Sequence, residues 1–224
     1  MTSPGVIREK AREILMKLLE RKLQGAGKRV VIYNDFFPID PELVITDVLG
    51  WRLRKLKDYD KRATSDFSKE IIYLNLTGTN PGEAAFSLAH ELGHAVLHGR
   101  AVECLGGRAD RPPRSVRRGV RQPMPSIVSS LESDANRFAA ELLMPRKPVS
   151  EHFRNLFGVE SLKSGSTEAM LLTKVGAGAS VYQVARALAD YKVSTNMKSL
   201  AEQFGTSSDA MARRLAELDL VIQH

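Results

Sequence analysis

Asn80-Pro-Gly-Glu-Ala-Ala-Phe-Ser-Leu-Ala-His-Glu-Leu-Gly-His-Ala-Val-Leu-His-Gly99 is the stretch from which the rest of the chain can be read. It opens with helix-start signals: Asn80 as N-cap, Pro81 in the first turn and Glu83 three residues after the cap. Ala85, Leu88, Ala89, Leu92 and Val96 then recur at helical spacing, and Gly99 suits the position just past a helix end. The spacing predicts a helix of about five turns. In its middle stands His90-Glu91-Leu92-Gly93-His94. Residues four apart share a helix face, so both imidazoles can converge on one ion. His-Glu-x-x-His on a helix is a zinc-hydrolase pattern. Glu91, one step round the helix, flanks that point without having to bind it. A general base for a zinc-activated water belongs there.

A catalytic zinc takes three protein ligands and leaves one position open. The third is expected from a second, downstream helix, and Leu131-Glu-Ser-Asp-Ala-Asn-Arg-Phe-Ala-Ala-Glu-Leu-Leu-Met-Pro145 reads as one. Ala135, Phe138, Ala139, Leu142 and Leu143 form its apolar stripe, and Pro145 ends it. Glu132 lies three before Ala135 and seven before Ala139, so helical phase puts it on the buried face. Asp134 aligns with Arg137, Phe138 and Glu141, mostly on the outer face. Phase therefore favours Glu132 as third ligand. The competing readings are a capping-box glutamate for Ser129 and, for Asp134, a ligand or a partner behind the ligands. His98 is eight residues from His90, a rise of about 12 Å, too far to share the ion with both histidines on a regular helix. It reads as a supporting or packing residue.

Upstream, Ser3-Pro4 starts an amphipathic helix whose face is Ile7, Ala11, Ile14, Leu15, Leu18, Leu19 and Leu23, ending near Gly25-Ala-Gly27. Arg29–Tyr33 is β-branched and extended. Asp40-Pro41 opens another helix through Val48 and Leu49, closed by Gly50. Trp51–Leu56 and Glu70–Leu76 read as strands, the latter the stronger. Between them, 58–68 is polar and reads as turn or loop, with Thr64 and Phe67 at the start of a strand. A sheet beside the His90 helix would let an extended peptide add along its edge.

Residues 100–127 carry paired glycines, Pro112-Pro113 and a run of arginines. They read as an irregular insertion, either a lid or a plain surface loop. Downstream, Pro148–Phe157 is helical with Gly158 as its stop, 163–167 and 176–178 are loops, and Val181, Val184, Ala185, Leu188 and Ala189 mark another helix. Residues 197–220 read helix–turn–helix, with Ala201, Gly205 and Met211 at the small inner, turn and core positions.

The chain has 224 residues, 43% hydrophobic, enough for one domain plus a helical appendage. The division expected is 1–147 and 148–224. There is no apolar run long enough for a membrane span and no signal-like N-terminus. A single cysteine, Cys104, suits the cytoplasm. The net charge of +7 permits an acidic partner. Its distribution argues against DNA at the tail, where residues 196–224 hold three Lys/Arg against four Asp/Glu.

Three stretches together resemble the ImmA/IrrE family of metallopeptidases: Ala85–His98, Glu132–Pro145 and Pro38-Ile-Asp-Pro-Glu-Leu43. The Arg-rich insertion departs from the shorter linker of that pattern. The resemblance implies an α+β, zincin-like metallopeptidase domain, a small sheet packed on the zinc helix, followed by a helix-turn-helix-like region. It implies Zn²⁺ on His90, His94 and Glu132, with Glu91 as catalytic base. It also implies an endopeptidase acting on a protein substrate, a helix–turn–helix transcriptional repressor whose cleavage switches on a stress response or mobile-element genes. The alternative is a regulator that binds a repressor or DNA without cutting. The sequence names neither an oxyanion donor nor an oligomeric state.

Overall fold

The computed structural model describes residues 2–26, 36–99, 125–176 and 178–223. The expected strand Arg29–Tyr33, the stop at Gly27, Cys104 and residues 100–124 of the Arg-rich insertion lie outside them. The described residues are mixed α+β, a small sheet among many helices. They divide into two compact units, one of 2–26, 40–80, 87–99 and 125–142, the other of 36–39, 81–86, 143–176 and 178–223.

The first unit opens with α1, Pro4–Ala26. Ile7, Ala11, Ile14, Leu15 and Leu18 are buried on it as the spacing predicts, but Leu23 is exposed, so the apolar face ends a turn early. Asp40 caps the short α2, Pro41–Leu43, accepting from the Glu42 N–H at 2.9 Å. The helix then widens into a π turn, Val44–Val48, that buries Val44 and Ile45. Gly50, at φ +73°, turns the chain toward the sheet in a conformation glycine adopts freely.

Three strands follow: β1, Arg52–Leu56; β2, Ala63–Asp66; and β3, Ile71–Asn75. β3 is central, with Ile71, Ile72 and Leu74 buried, which is why it carries the strongest apolar signal. β1 runs parallel to it, Arg52 against Ile71 and Leu56 against Asn75. β2 runs antiparallel, Ala63 against Leu74 and Asp66 against Ile71. The polar segment, expected as turn or loop with Thr64 and Phe67 at the start of a strand, thus supplies an edge strand that includes Thr64 and ends before Phe67. The Asp66 carboxylate stops it, accepting from Ser68 Oγ at 2.7 Å and from the Lys69 N–H at 3.1 Å, a local turn in place of further pairing.

Helix α3, Pro81–Gly93, begins at the predicted proline; its residues 81–86 belong to the second unit and the remainder to the first. Its expected last α-turn is instead a π turn, His94–His98, closed by the Gly99 N–H on His94 C=O at 3.1 Å. Helix α4, Pro125–Leu143, starts inside the segment expected to be irregular, with Pro125 in its first turn. Ala135, Phe138, Ala139 and Leu142 are buried as the stripe predicts. Gly93 is what lets α3 and α4 approach, because a Cβ there would stand 3.0 Å from Ala135 Cα and 3.2 Å from Phe138 Cβ.

In the second unit, α5, Arg146–Phe157, ends on Gly158 at φ +73°. Residues 163–167, expected as loop, contain the end of a short strand β4, Leu162–Lys163, and the first residue of α6, Thr167–Thr173. Helix α7, Val181–Asp190, starts on a capping box of Ser180 and Gln183. Helix α8, Leu200–Gln203, starts on another, Ser199 and Glu202. Helix α9, Ser208–Glu217, is capped by Ser207. The chain closes with β5, Val221–Ile222, parallel to β4. Ala201 and Met211 are buried, and Gly205, between α8 and α9, takes φ +62°.

Candidate metal centre

α3 and the π turn that continues it present His90 and His94 one turn apart, and α4 brings Glu132 against them. His90 Nε2 and His94 Nε2 are 3.1 Å apart. Glu132 Oε2 is 3.1 Å from His90 Nε2, and Oε1 is 3.4 Å from His94 Nε2. Ligand atoms at 2.0–2.1 Å from a tetrahedral ion stand about 3.3–3.4 Å from one another. The separations, the two to Glu132 made by different carboxylate oxygens, are close to that figure, and two imidazoles with one carboxylate are a donor set suited to zinc. Among the described residues this is the group of His, Cys, Asp and Glu that could hold a metal ion.

The helical-phase argument needs correcting. Glu132 is not on the buried face: its side chain is 52% exposed. Asp134, expected outside, is 2% exposed. Its flank of α4 is occupied by contacts distant in sequence, for Asp134 Oδ2 takes the Thr2 N–H at 2.8 Å and lies 3.9 Å from His98 Nε2. Glu132 reaches the histidines from the rim, and the site stays open to solvent on that side. Ser129 lies inside α4, not before it, so the capping-box reading of Glu132 fails.

Supporting contacts orient both rings. His90 Nδ1 faces Asn136 Oδ1 at 2.9 Å, a contact that suits an N–H at Nδ1 and leaves Nε2 for the cluster. Sequence reasoning missed Asn136, although it lies one turn after Glu132 and hence on the same face. His94 Nδ1 faces His98 Nδ1 at 3.0 Å. Burial lowers the His94 pKa to about 4, with the neighbouring His90 acting in the same direction. Burial also holds that of His98 below the ordinary histidine value. Both rings are therefore neutral at pH 7, and the neutral imidazole is the form that binds metal.

Glu91 points to the sheet. One of its carboxylate oxygens accepts a hydrogen bond from Ser65 Oγ on β2. Burial raises its pKa against the opposing effects of that hydrogen bond and of His90, making it a stronger base than an exposed glutamate. Ser65, too, was missed. It sits in the segment taken as turn or loop, and only strand pairing with β3 carries it to α3.

Residues 46–216 match the Peptidase M78 family, the IrrE N-terminal-like domain. The chain belongs to this family. Its IrrE-like segment therefore contains the whole cluster just described. A stretch of 120 residues, 52% of this IrrE-like chain, is 29% identical to the "Uncharacterized immunity region protein 2" of Bacillus phage phi105 and spans 63% of that protein. Among the described residues, no helix of the IrrE-like chain is long and apolar enough to cross a membrane.

Proposed function

We propose that the chain is a zinc-dependent endopeptidase with His90, His94 and Glu132 as ligands and Glu91 as general base. The convergence of three ligand atoms within 4.8 Å of one another, on two packed helices, carries the reading. His90, His94 and Glu132 would hold a zinc ion, which would supply Lewis acidity to the scissile carbonyl and to a water whose proton would then be labile near neutral pH. Glu91 takes that proton on the carboxylate oxygen that Ser65 leaves available and later delivers it to the departing amine. Ser65 holds the other oxygen and fixes the carboxylate plane. His90 and His94 keep their N–H groups turned away from the cluster, toward Asn136 and His98.

The substrate proposed is a helix–turn–helix transcriptional repressor. The family supports it, and so does the name of the phage relative, which places that protein in an immunity region. The described residues pair β2 on one side only, with β3, so an extended substrate segment can add along its other edge next to Ser65 and Glu91. We read α8 and α9 as a helix–turn–helix-like module that docks protein and not DNA. Of the three cations in residues 196–224, Arg214 is 1% exposed and donates to Met144 C=O at 2.8 Å. That leaves Lys198 and Arg213 against four acids, a poor phosphate surface.

The test is incubation of the zinc-loaded protein with a co-encoded repressor, followed by mass spectrometry of the products. Cleaved fragments are expected. Glu91→Gln should retain zinc and lose about 10²–10⁴-fold in rate. Full cleavage by Glu91→Gln would remove Glu91 as base. An intact complex with wild type would make the chain a binding regulator.

A further inference from the structure

The ladder on one side of β2 fixes what its other side offers. The Asn75 N–H donates to Arg62 C=O at 2.8 Å, and Ala63 then faces Leu74, Thr64 faces Tyr73 and Ser65 faces Ile72. Antiparallel pairs alternate between hydrogen-bonded and non-hydrogen-bonded. Arg62 and Thr64 thus direct their backbone groups to β3. Ala63 and Ser65 turn theirs outward, where no strand pairs with them among the described residues. Alternation puts the Ala63 and Ser65 side chains on one face, and the Ser65 hydrogen bond to Glu91 identifies it as the face toward α3.

The two ends of this edge differ in charge. Asp66 is neutralised by Lys69, whose Nζ lies 2.7 Å away. At the other end, two residues before Ala63, Lys61 is exposed and makes no ion pair among the described residues. Of the acids beside it in sequence, Asp58 accepts from Thr77 Oγ1 at 3.2 Å, and Asp60 is exposed without pairing to Lys61. Lys61 also lies within electrostatic reach of the site. After burial, the Ser65 hydrogen bond and the charges of His90 and Glu132, its positive charge acts on Glu91 and lowers that carboxyl's pKa.

We infer that this edge selects an acidic peptide: an extended segment pairs its backbone with Ala63 and Ser65 and sets an Asp or Glu side chain against the Lys61 ammonium. The backbone bonds supply affinity without regard to sequence, and the side chains on the α3 face supply the choice. Ala63 is small and Ser65 is engaged by Glu91, so neither discriminates by charge. Lys61 does, and it is the specificity-determining residue of the edge. A basic side chain at the same place meets a like charge, which is disfavoured. The inference rests on the proposed peptidase in taking the bound segment as substrate; the docking itself needs only β2 and Lys61.

Fluorescence anisotropy tests this with two labelled decapeptides, one alternating valine and aspartate, the other valine and lysine. Binding is measured with zinc present in the Glu91→Gln background, so that no cleavage intervenes. The aspartate peptide should bind more tightly. Adding Lys61→Glu should weaken it about 5-fold or more and strengthen the lysine peptide, with the effect shrinking in high salt. Lys57→Glu makes the same change of net charge after β1, at the opposite edge of the sheet, and should move both peptides little. N-methylation of one alternate set of peptide amides should abolish binding, and of the other set leave it. Equal responses to Lys61→Glu and Lys57→Glu, no binding of the aspartate peptide, or binding retained under both methylations overturns the inference. Zinc-loaded wild type is given β-casein in parallel. No cleavage, with the Lys61-dependent preference intact, would sink the peptidase reading alone; cleavage without that preference would sink the inference alone.

Discussion

Two clusters of polar side chains bridge helices in this chain, and they differ in water. Around His94, rings from α3 and carboxylates from α4 meet where His94, His98 and Asp134 are buried. Between α7 and α9, Tyr182 Oη donates to Asp209 at 2.9 Å and Arg186 Nε does so at 2.8 Å, while Arg186 and Ser208 also reach Asp190. That second cluster is exposed. Hydrogen bonds there favour the charged forms of two members: the Asp209 pKa is lowered by the Tyr182 and Arg186 hydrogen bonds, and that of Arg186 is raised by Asp190. In the first cluster burial drives His94 and His98 neutral. Similar contacts thus hold charge in one place and remove it in the other. A network that excludes water dictates protonation, whereas one in solvent mainly steadies a surface.

Changes ranked by expected size can break that comparison. Glu132→Gln should abolish tight zinc binding, a loss well beyond the about 10–100-fold expected of Asp134→Asn as an outer partner. Competition titration of both variants checks this, and the reverse order would exchange their roles. Next are the glycines that set helix approach. A Cβ on Gly82 would stand 2.5 Å from the Thr206 carbonyl carbon, so Gly82→Ala should cost about 1–3 kcal/mol or more in denaturant unfolding. At Gly93 the nearest atoms are 3.0 Å away, so Gly93→Ala should cost less stability. It should nonetheless weaken zinc binding, because the atoms that must yield are on α4 three residues from Glu132. Zinc affinity equal to wild type in Gly93→Ala would mean that α4 does not set the ligand distance. Smallest is Arg186→Ala, expected to cost under about 1 kcal/mol and less still in high salt. A larger, salt-insensitive loss would mean that the exposed cluster is not screened as its accessibility implies.

What the sequence made legible was local. The start of α3 at Pro81, the α4 stripe and central β3 follow from caps and periodicity within a few residues of each position. The pairing of Leu162 with Val221 joins residues far apart in the chain, and neither two-residue strand is long enough to show a period. Glu132 was singled out for a reason that the fold does not uphold. Periodicity sees the apolar stripe of α4 but not what covers its flanks, and Thr2 and His98 cover the flank of Asp134. Ser65 and Asn136 were hidden differently, since each is an ordinary polar residue until its partner on α3 is known.

The π turn at His94–His98 has an evolutionary reading as well. Such a turn holds one residue more than an α-helix would use, as if a single codon had been inserted into an older, regular helix. Deleting one residue between His94 and His98 would restore the ordinary winding and swing His98 away from His94, with His90, Glu91 and His94 keeping their spacing. A frame-preserving indel of three nucleotides would therefore part His98 from His94 while leaving the proposed metal ligands in place.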